Sequence, residues 1–278
     1  MLSYQHIYHA GNFADVHKHV VLLHAFLLHQ RSAPSIIAID AHGGEGLYDL
    51  QSAAAGKNKE YLNGVAKLAD GENAPAPIVD VMKVIQRINR DKPTRFYPGS
   101  PELLRSAMRD GDQLIVVDKH PQAFAALKKR YAGDKRIRVL REDAYQAVDH
   151  AKIPRHALPF VLFDPAYESL GEWQAAIDGV ESACRRRKDA AVLLWYPITA
   201  AREHESIARF LSNGPGVAAL TIEFFALPND VQRRLNGSGM CIINPPPGFA
   251  ESIGPAMAWL SERLAVPQAP RWSLKEYR

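Results

Sequence analysis

Cysteine is almost missing from this chain: 278 residues carry two, Cys184 and Cys241. They stand at no spacing used by a zinc site or a disulfide framework, and nothing points to an oxidising compartment. The start of the chain has no basic segment followed by an apolar run, so it does not read as a signal peptide. No apolar run is long enough to cross a bilayer, and the best candidate, Val20 to Leu28, is broken by His24. Strong charge asymmetry is missing too. Thirty-four Lys and Arg stand against 30 Asp and Glu, a formal charge of +4. That balance is compatible with a nucleic-acid partner but argues for none without a clustered patch. Internal repeats are absent. A cytoplasmic protein is expected, organised as one domain over 1–278 with a substantial core, since 47% of residues are apolar.

What is present is a series of short apolar runs, each closing on a polar or acidic residue. Ile36 to Asp40 is a buried strand followed by the glycine-rich stretch 41–46. Leu114 to Val117 ends at Asp118, and Ile137 to Leu140 is followed by Asp143-Ala144. Phe160 to Phe163 ends at Asp164-Pro165, where proline stops a ladder because it has no N–H. Further strands are expected at 190–195, 219–225 and 240–243. Helical spacing connects them, as in Phe13 to Gln30, Ile78 to Asn89, Pro121 to Arg130 and Phe249 to Leu264. Ser100 is expected to cap a helix with Pro101 at its first position. Strands alternating with helices predict an α/β fold: a Rossmann-like, mainly parallel sheet of seven strands. The second acidic strand end comes far later than a simple Rossmann unit allows. Residues from about 49 to 97 are therefore expected to be a small helical insertion after the first strand.

The strand ends define a chemistry. In an open α/β sheet, ligands bind beyond the carboxyl ends of the strands. A glycine-rich first turn lets a ligand approach the backbone, and an acid ending the second strand can bond both ribose hydroxyls. A polar residue after the third strand can reach an adenine amino group. The loop is not the dinucleotide fingerprint, and the later Asp-Pro-Ala-Tyr at 164–167 favours S-adenosylmethionine instead. Asp164 can accept one N–H of a base amino group and the Pro165 carbonyl the other. Tyr167 offers a face for stacking. No metal is expected. The histidines His6, His9, His17 and His19 have no Cys or acidic cluster to complete a site.

The N-terminal run 1–19, the stretch Asp40 to Gly46 and the run Asp164 to Glu168 together resemble one family, the bacterial 23S rRNA adenine-N6 methyltransferases of the RlmJ type. The similarity spans the chain. It implies a class I S-adenosylmethionine-dependent methyltransferase acting on 23S rRNA, on free rRNA or an early assembly intermediate, as a monomer. It implies an N-terminal arm (1–20) that closes over cofactor and target, with Tyr4 and His6 beside the target adenine. Lys18, His19, His42, Ser100, Asp118, Asp143, Ala144 and Asp164 are implied around the cofactor, and Asp164 as the catalytic acid–base residue. One departure stands out: the family usually has a second proline where this chain has Ala166, which should loosen the loop presenting Tyr167. The catalytic run alone reports only an amino group on a planar base. DNA adenine-N6 methylation and a non-catalytic RNA-binding relative are the alternatives. Arg185 to Lys188, Lys128 to Arg130 and the 230–239 loop, with Gln232, Arg233, Arg234 and Asn236, are candidate RNA contacts. Asn244-Pro245-Pro246 mimics a catalytic motif but is expected to be a plain loop.

Overall fold

Alternation decides which way each strand faces. In the strand Leu158–Phe163, Phe160 and Leu162 pack into one apolar cluster while Val161 and Phe163 pack into another. Successive side chains of a strand point to opposite faces, so a run that is apolar throughout must be covered on both sides. The computed structural model has that layering. It describes residues 5–69, 71–90, 92–169, 171–214 and 216–277.

A 3₁₀ turn, His6–Tyr8, leads into α1 (Phe13–His29). Asn12 caps α1, its side chain accepting the Asp15 N–H. Then follow β1 (Ile36–Asp40), β2 (Leu47–Asp49), α2 (Ala53–Asn58), α3 (Ala76–Asn89), β3 (Phe96–Pro98) and α4 (Ser100–Ala107). The next elements are β4 (Gln113–Val117), α5 (Pro121–Tyr131), β5 (Ile137–Leu140), α6 (Ala144–His150), β6 (Leu158–Phe163) and α7 (Gly171–Arg186). The chain continues through β7 (Ala191–Ile198), α8 (Glu205–Asn213), β8 (Ala219–Phe225), β9 (Gly237–Ile243), α9 (Phe249–Leu264) and β10 (Trp272–Tyr277).

The main sheet runs in the order β10-β8-β9-β7-β6-β1-β4-β5. From β7 to β5 every pairing is parallel, while β7-β9, β9-β8 and β8-β10 are antiparallel. Among the described residues the sheet is thus a mainly parallel Rossmann-like one with eight strands instead of the expected seven. The extra strand, β10, is an edge strand whose one face is only half-buried at Trp272 and Leu274. A short alternation of that kind is a faint signal in a sequence.

Helices α1, α3, α4 and α9 cover one face, and α6, α7 and α8 the other. α1 is unusual in being buried almost all round; His17, Lys18 and His19 are each at most 4% exposed. Between β1 and β4 the chain leaves the sheet through β2 and returns through β3. These two strands pair antiparallel, with Tyr48 opposite Tyr97, and close the base of the excursion. Ser100 does not cap α4: Gly99 is the N-cap residue and Ser100 is the first helical residue. Its hydroxyl lies beside Asp40 and acts to lower that carboxyl's pKa against the larger effect of burial.

Candidate active site

At the carboxyl edge of the parallel strands lies a cavity of about 950 Å³. Its floor is made by the ends of β1, β4 and β6 and by the turns that follow them. The position of each end follows from register: Asp40 pairs with Val116 on one side and Leu162 on the other, so these three strands finish level.

On one side the cavity is built for a polyhydroxylated ligand. Asp118 follows β4, and its two carboxylate oxygens accept backbone N–H bonds from Gly44 (2.9 Å) and His120 (2.8 Å). Burial raises the Asp118 pKa, though the two N–H bonds oppose the shift. Gly44 sits at φ +58°, and a Cβ there would overlap the Tyr48 hydroxyl. Glycine is therefore needed to bring this N–H onto Asp118. Asp143 caps α6 with Oδ1, which accepts the N–H groups of Tyr145 and Gln146. Asp143, Ala144 and Tyr145 all line the cavity. Among the described residues the buried Tyr145 hydroxyl has no hydrogen-bond partner, although Tyr145 lines the cavity. Asp40 lies behind the cavity wall, where burial pushes its pKa up to about 7.

At the centre is Asp164. Its Oδ2 accepts a 2.7 Å bond from Lys18 Nζ, and its backbone N–H donates to His42 Nδ1 at 3.2 Å. His42 thus serves as an acceptor at Nδ1, as a neutral imidazole does. Burial pushes its pKa down to about 4, which keeps it neutral. Lys18 is clamped a second time by Asp15 Oδ1 at 2.9 Å. Asp15 is itself 2% exposed, and its Oδ2 accepts from His6 Nε2 (2.8 Å) and from the Gly11 N–H (3.0 Å). Burial alone would raise the Asp15 carboxyl; His6 and Lys18 outweigh it and hold it well below the usual range. Burial alone would likewise lower Lys18, but Asp15 and Asp164 hold it well above the ordinary lysine value. His6, Asp15, Lys18 and Asp164 form one continuous polar chain from the N-terminal segment to the end of β6.

Tyr167 follows in the left-handed region at φ +54°, a strained setting for a non-glycine residue. Its hydroxyl donates to the Trp195 carbonyl at 2.8 Å, and its ring packs on Trp173 with centroids 4.3 Å apart. Pro165 and Tyr167 both line the cavity.

The structure brings His6, Lys18, His19, His42, Ser100, Asp118, Asp143, Ala144, Asp164, Pro165 and Tyr167 to this one cavity. His19 is the most withdrawn, buried and bonded through Nδ1 to the Tyr97 hydroxyl at 2.9 Å, with burial lowering its pKa to about 3. Tyr4 lies outside the described residues. Asp15 and Trp195 were not anticipated. The only hint of Asp15 was its place one turn before Lys18, where opposite charges meet on a helix.

Of the expected RNA contacts, Arg233 and Arg234 line the cavity and are exposed. Asn236 does not belong with them. It is fully buried, and its amide donates to the Asn229 and Val231 carbonyls, tying the loop that carries the arginines. Residues 237–239 belong to β9. Arg185 to Lys188 end α7 at the opposite, amino edge of the sheet, where Arg187 binds Asp189 and the Ala157 carbonyl. Asn244 also lies at that far edge, holding the Lys188 and Ala190 carbonyls in a loop.

Comparison with known proteins agrees with this geometry. Residues 33–275 match the family model described as "Ribosomal RNA large subunit methyltransferase D, RlmJ". The chain is 32% identical to ribosomal RNA large subunit methyltransferase J of Escherichia coli over 265 residues, covering 95% of this chain and 94% of that one. It is 29% identical to the protein of the same name from Haemophilus influenzae, covering 99% and 98%. Among solved structures, a protein from Legionella pneumophila superposes with a TM-score of 0.89 at 26% identity, covering 97% of this chain and 98% of the other.

Proposed function

Since the chain belongs to the RlmJ family of ribosomal RNA large subunit methyltransferases, we propose that it methylates the N6 amino group of an adenine in 23S rRNA, acting on free rRNA or an early assembly intermediate. The observation that carries this reading is Asp164-Pro165 at the end of β6, inside the cavity that also holds Asp118, Asp143 and the Gly44 N–H.

The cavity fits S-adenosylmethionine by its own donor set. Asp118 suits the ribose hydroxyls, while Asp143 and Ala144 suit the adenine edge. Ser100, His42, His19 and Lys18 surround the remaining end. When bound, the cofactor supplies an activated methyl group on a sulfonium centre that departs as a neutral thioether.

The protein's own part is to position the amine. An adenine amino nitrogen is a weak nucleophile because its lone pair is delocalised into the ring. Lys18 occupies Oδ2 of Asp164, which leaves Oδ1 to accept one amino N–H. The Pro165 carbonyl accepts the other. Two acceptors on one amino group favour a pyramidal nitrogen with its lone pair aimed across the cavity, and such positioning is a large part of the rate. His42 fixes the backbone of Asp164 without competing for a proton, since it stays neutral. Asp164 receives the proton late or passes it to water. Arg233 and Arg234 suit the RNA backbone.

The test is methyl transfer from labelled S-adenosylmethionine to protein-free 23S rRNA, with mapping of the modified base and duplex DNA as competitor substrate. Asp164→Ala should lose at least about 100-fold in kcat at saturating cofactor. A wild-type protein that labels no adenine N6 in rRNA, or that prefers the duplex DNA, would overturn the proposal.

A further inference from the structure

The cavity lining also includes Trp195, Pro197, Ala226 and Leu227, with the exposed Arg233 and Arg234, none of which belongs to the residues assigned to the cofactor. Trp195 lies in β7, and its neighbours Leu194 and Tyr196 turn to the opposite face of the sheet. Unlike them Trp195 is only half-buried. An amphipathic ring left partly open beside a polar site is a usual element of ligand recognition.

This indole is held from behind. Its Nε1–H donates to Ser238 Oγ at 2.9 Å. Ser238 Oγ also lies 2.9 Å from His17 Nδ1, and both residues are fully buried. The serine oxygen accepts the indole proton and shares a second hydrogen bond with His17 Nδ1, while its hydroxyl also lies 3.5 Å from the Ala14 carbonyl of α1. Burial pushes the His17 pKa down to about 3, so the imidazole beside it is neutral. A three-member chain from α1 through β9 thus fixes the rotation of one half-buried ring. Core packing needs no such device for a ring that faces a cavity.

What the ring faces is equally specific. Lys18 Nζ lies 5.7 Å from the Trp195 ring centroid and 2.7 Å from Asp164 Oδ2, so the indole and the carboxylate flank the same ammonium. The Tyr167 ring is 6.0 Å away, inclined at 58°. The two rings therefore make a corner, not a parallel sandwich. A planar base laid against one ring meets the other at an angle, an arrangement that aromatic quadrupoles favour. Neither Arg233 nor Arg234 has an ion pair among the described residues, so both are free to meet a phosphate next to such a base.

Building on the proposed function, we infer that Trp195 is the fixed wall of the target-nucleotide site, with Ser238 and His17 as its positioning residues. The ligand is one purine nucleotide of the RNA, turned out of its stack and held with its amino group toward Asp164. A base removed from its stack loses neighbours on both faces, and a pre-oriented aromatic wall replaces one of them. The cofactor end needs none of these three residues.

The test separates base capture from cofactor binding and from folding. Trp195→Ala, Trp195→Phe and Ser238→Ala are compared with wild type for S-adenosylmethionine affinity by calorimetry and for KM and kcat on 23S rRNA. A fluorescent adenine analogue at the mapped target reports unstacking. Trp195→Ala should keep cofactor affinity within about threefold and lose at least 30-fold in kcat/KM, with weaker analogue fluorescence on binding. Trp195→Phe keeps a wall and should recover most of the loss. Ser238→Ala keeps the ring but frees its rotation, and should lose about fivefold without changing cofactor affinity. Alanine and phenylalanine variants that are equally impaired, or equally unimpaired, overturn the inference, as does a loss traced to cofactor affinity. Those outcomes leave wild-type methylation of rRNA standing, so failure here is distinguishable from failure of the proposed function.

Discussion

Asp15 is the charge on which the buried polar chain depends, and replacing it with asparagine tests whether that chain matters. The substitution keeps size and shape but removes the negative charge between His6 Nε2, the Gly11 N–H and Lys18 Nζ, at 2.8, 3.0 and 2.9 Å. Removing one partner of a fully buried ion pair costs about 3–5 kcal/mol, because the remaining charge is left uncompensated. Lys18 would keep Asp164, and asparagine can still accept one hydrogen bond. The expected loss is therefore smaller, about 2–3 kcal/mol. For a chain of this size that lowers Tm by about 3–5 °C. An internal control is Asp49→Asn. It breaks an equally short pair, Arg95–Asp49 at 2.7 Å, in which the two side chains are 51% and 30% exposed. There the loss should stay below about 1 kcal/mol.

The functional consequence of Asp15→Asn follows from the same contacts. With Asp15 neutral, Lys18 is drawn wholly to Asp164, and the segment around His6 loses its anchor on α1. A fall in kcat of at least about tenfold is expected, which corresponds to about 1.4 kcal/mol in the transition state. The assays are urea unfolding, thermal unfolding and single-turnover methyl transfer on rRNA. If Asp15→Asn matched Asp49→Asn in stability and wild type in kcat, the buried chain would be neither a structural nor a catalytic unit.

Three further perturbations address other parts of the site. Asp118→Ala should weaken S-adenosylmethionine binding about 10–100-fold by calorimetry, equivalent to about 1.4–2.7 kcal/mol, with kcat largely restored at saturating cofactor; unchanged affinity would remove Asp118 from the cofactor site. Gly44→Ala forces a side chain into the left-handed region against Tyr48, a cost of about 1–3 kcal/mol, and should show as lower Tm and lower cofactor affinity together. Acid should destabilise the protein well above the carboxylate range. Burial lowers His17 and His19 to about 3, and His24, His29 and His42 to about 4, against 6.5 when unfolded. Their neutral forms favour the fold above pH 6.5, and that contribution is lost progressively as pH falls from 6.5 toward 4. Near pH 5 these histidines take up nearly five protons on unfolding while Asp40, raised to about 7 in the fold, releases one, leaving about four; urea midpoints equal at pH 7.5 and 5 would refute it.

The strands β1, β4 and β6 were legible because each is an apolar run closed by an acid or a proline. Ile36 to Asp40, Leu114 to Asp118 and Phe160 to Pro165 mark their own ends. β10 was not legible, since an edge strand over a half-buried face needs only Trp272 and Leu274 to be apolar. Lys18 is instructive in another way. Periodicity placed it off the apolar stripe of α1, which ordinarily means solvent. In the fold that face points into the active cavity, where only long-range partners, Asp164 at a separation of 146 residues, make its charge tolerable. The Trp195–Ser238–His17 chain was hidden for the same reason, since its partners are set by topology and no local spacing records a bond across 221 residues. Asp15 is different: its partners His6, Gly11 and Lys18 are all local, but nothing in their spacing says that the group is buried.

Position 166 shows how the fold revises a local argument. From sequence alone, alanine in place of the family's second proline should loosen the loop that presents Tyr167. In the structure Tyr167 is fixed by its own side chain, through the Trp195 carbonyl and the Trp173 ring, and not by its neighbour. Ala166 is exposed, and its N–H donates no hydrogen bond among the described residues. A proline there would break no hydrogen bond and would only restrict the unfolded chain. Ala166→Pro should therefore leave kcat within about twofold and raise stability by up to about 1 kcal/mol. Removing the anchor should do what the missing proline does not. Tyr167→Phe keeps the ring but loses the bond to Trp195, and should cost more activity than any change at 166. If Ala166→Pro were inactive while Tyr167→Phe was not, the loop would be governed by its backbone at 166 and the anchoring argument would be wrong.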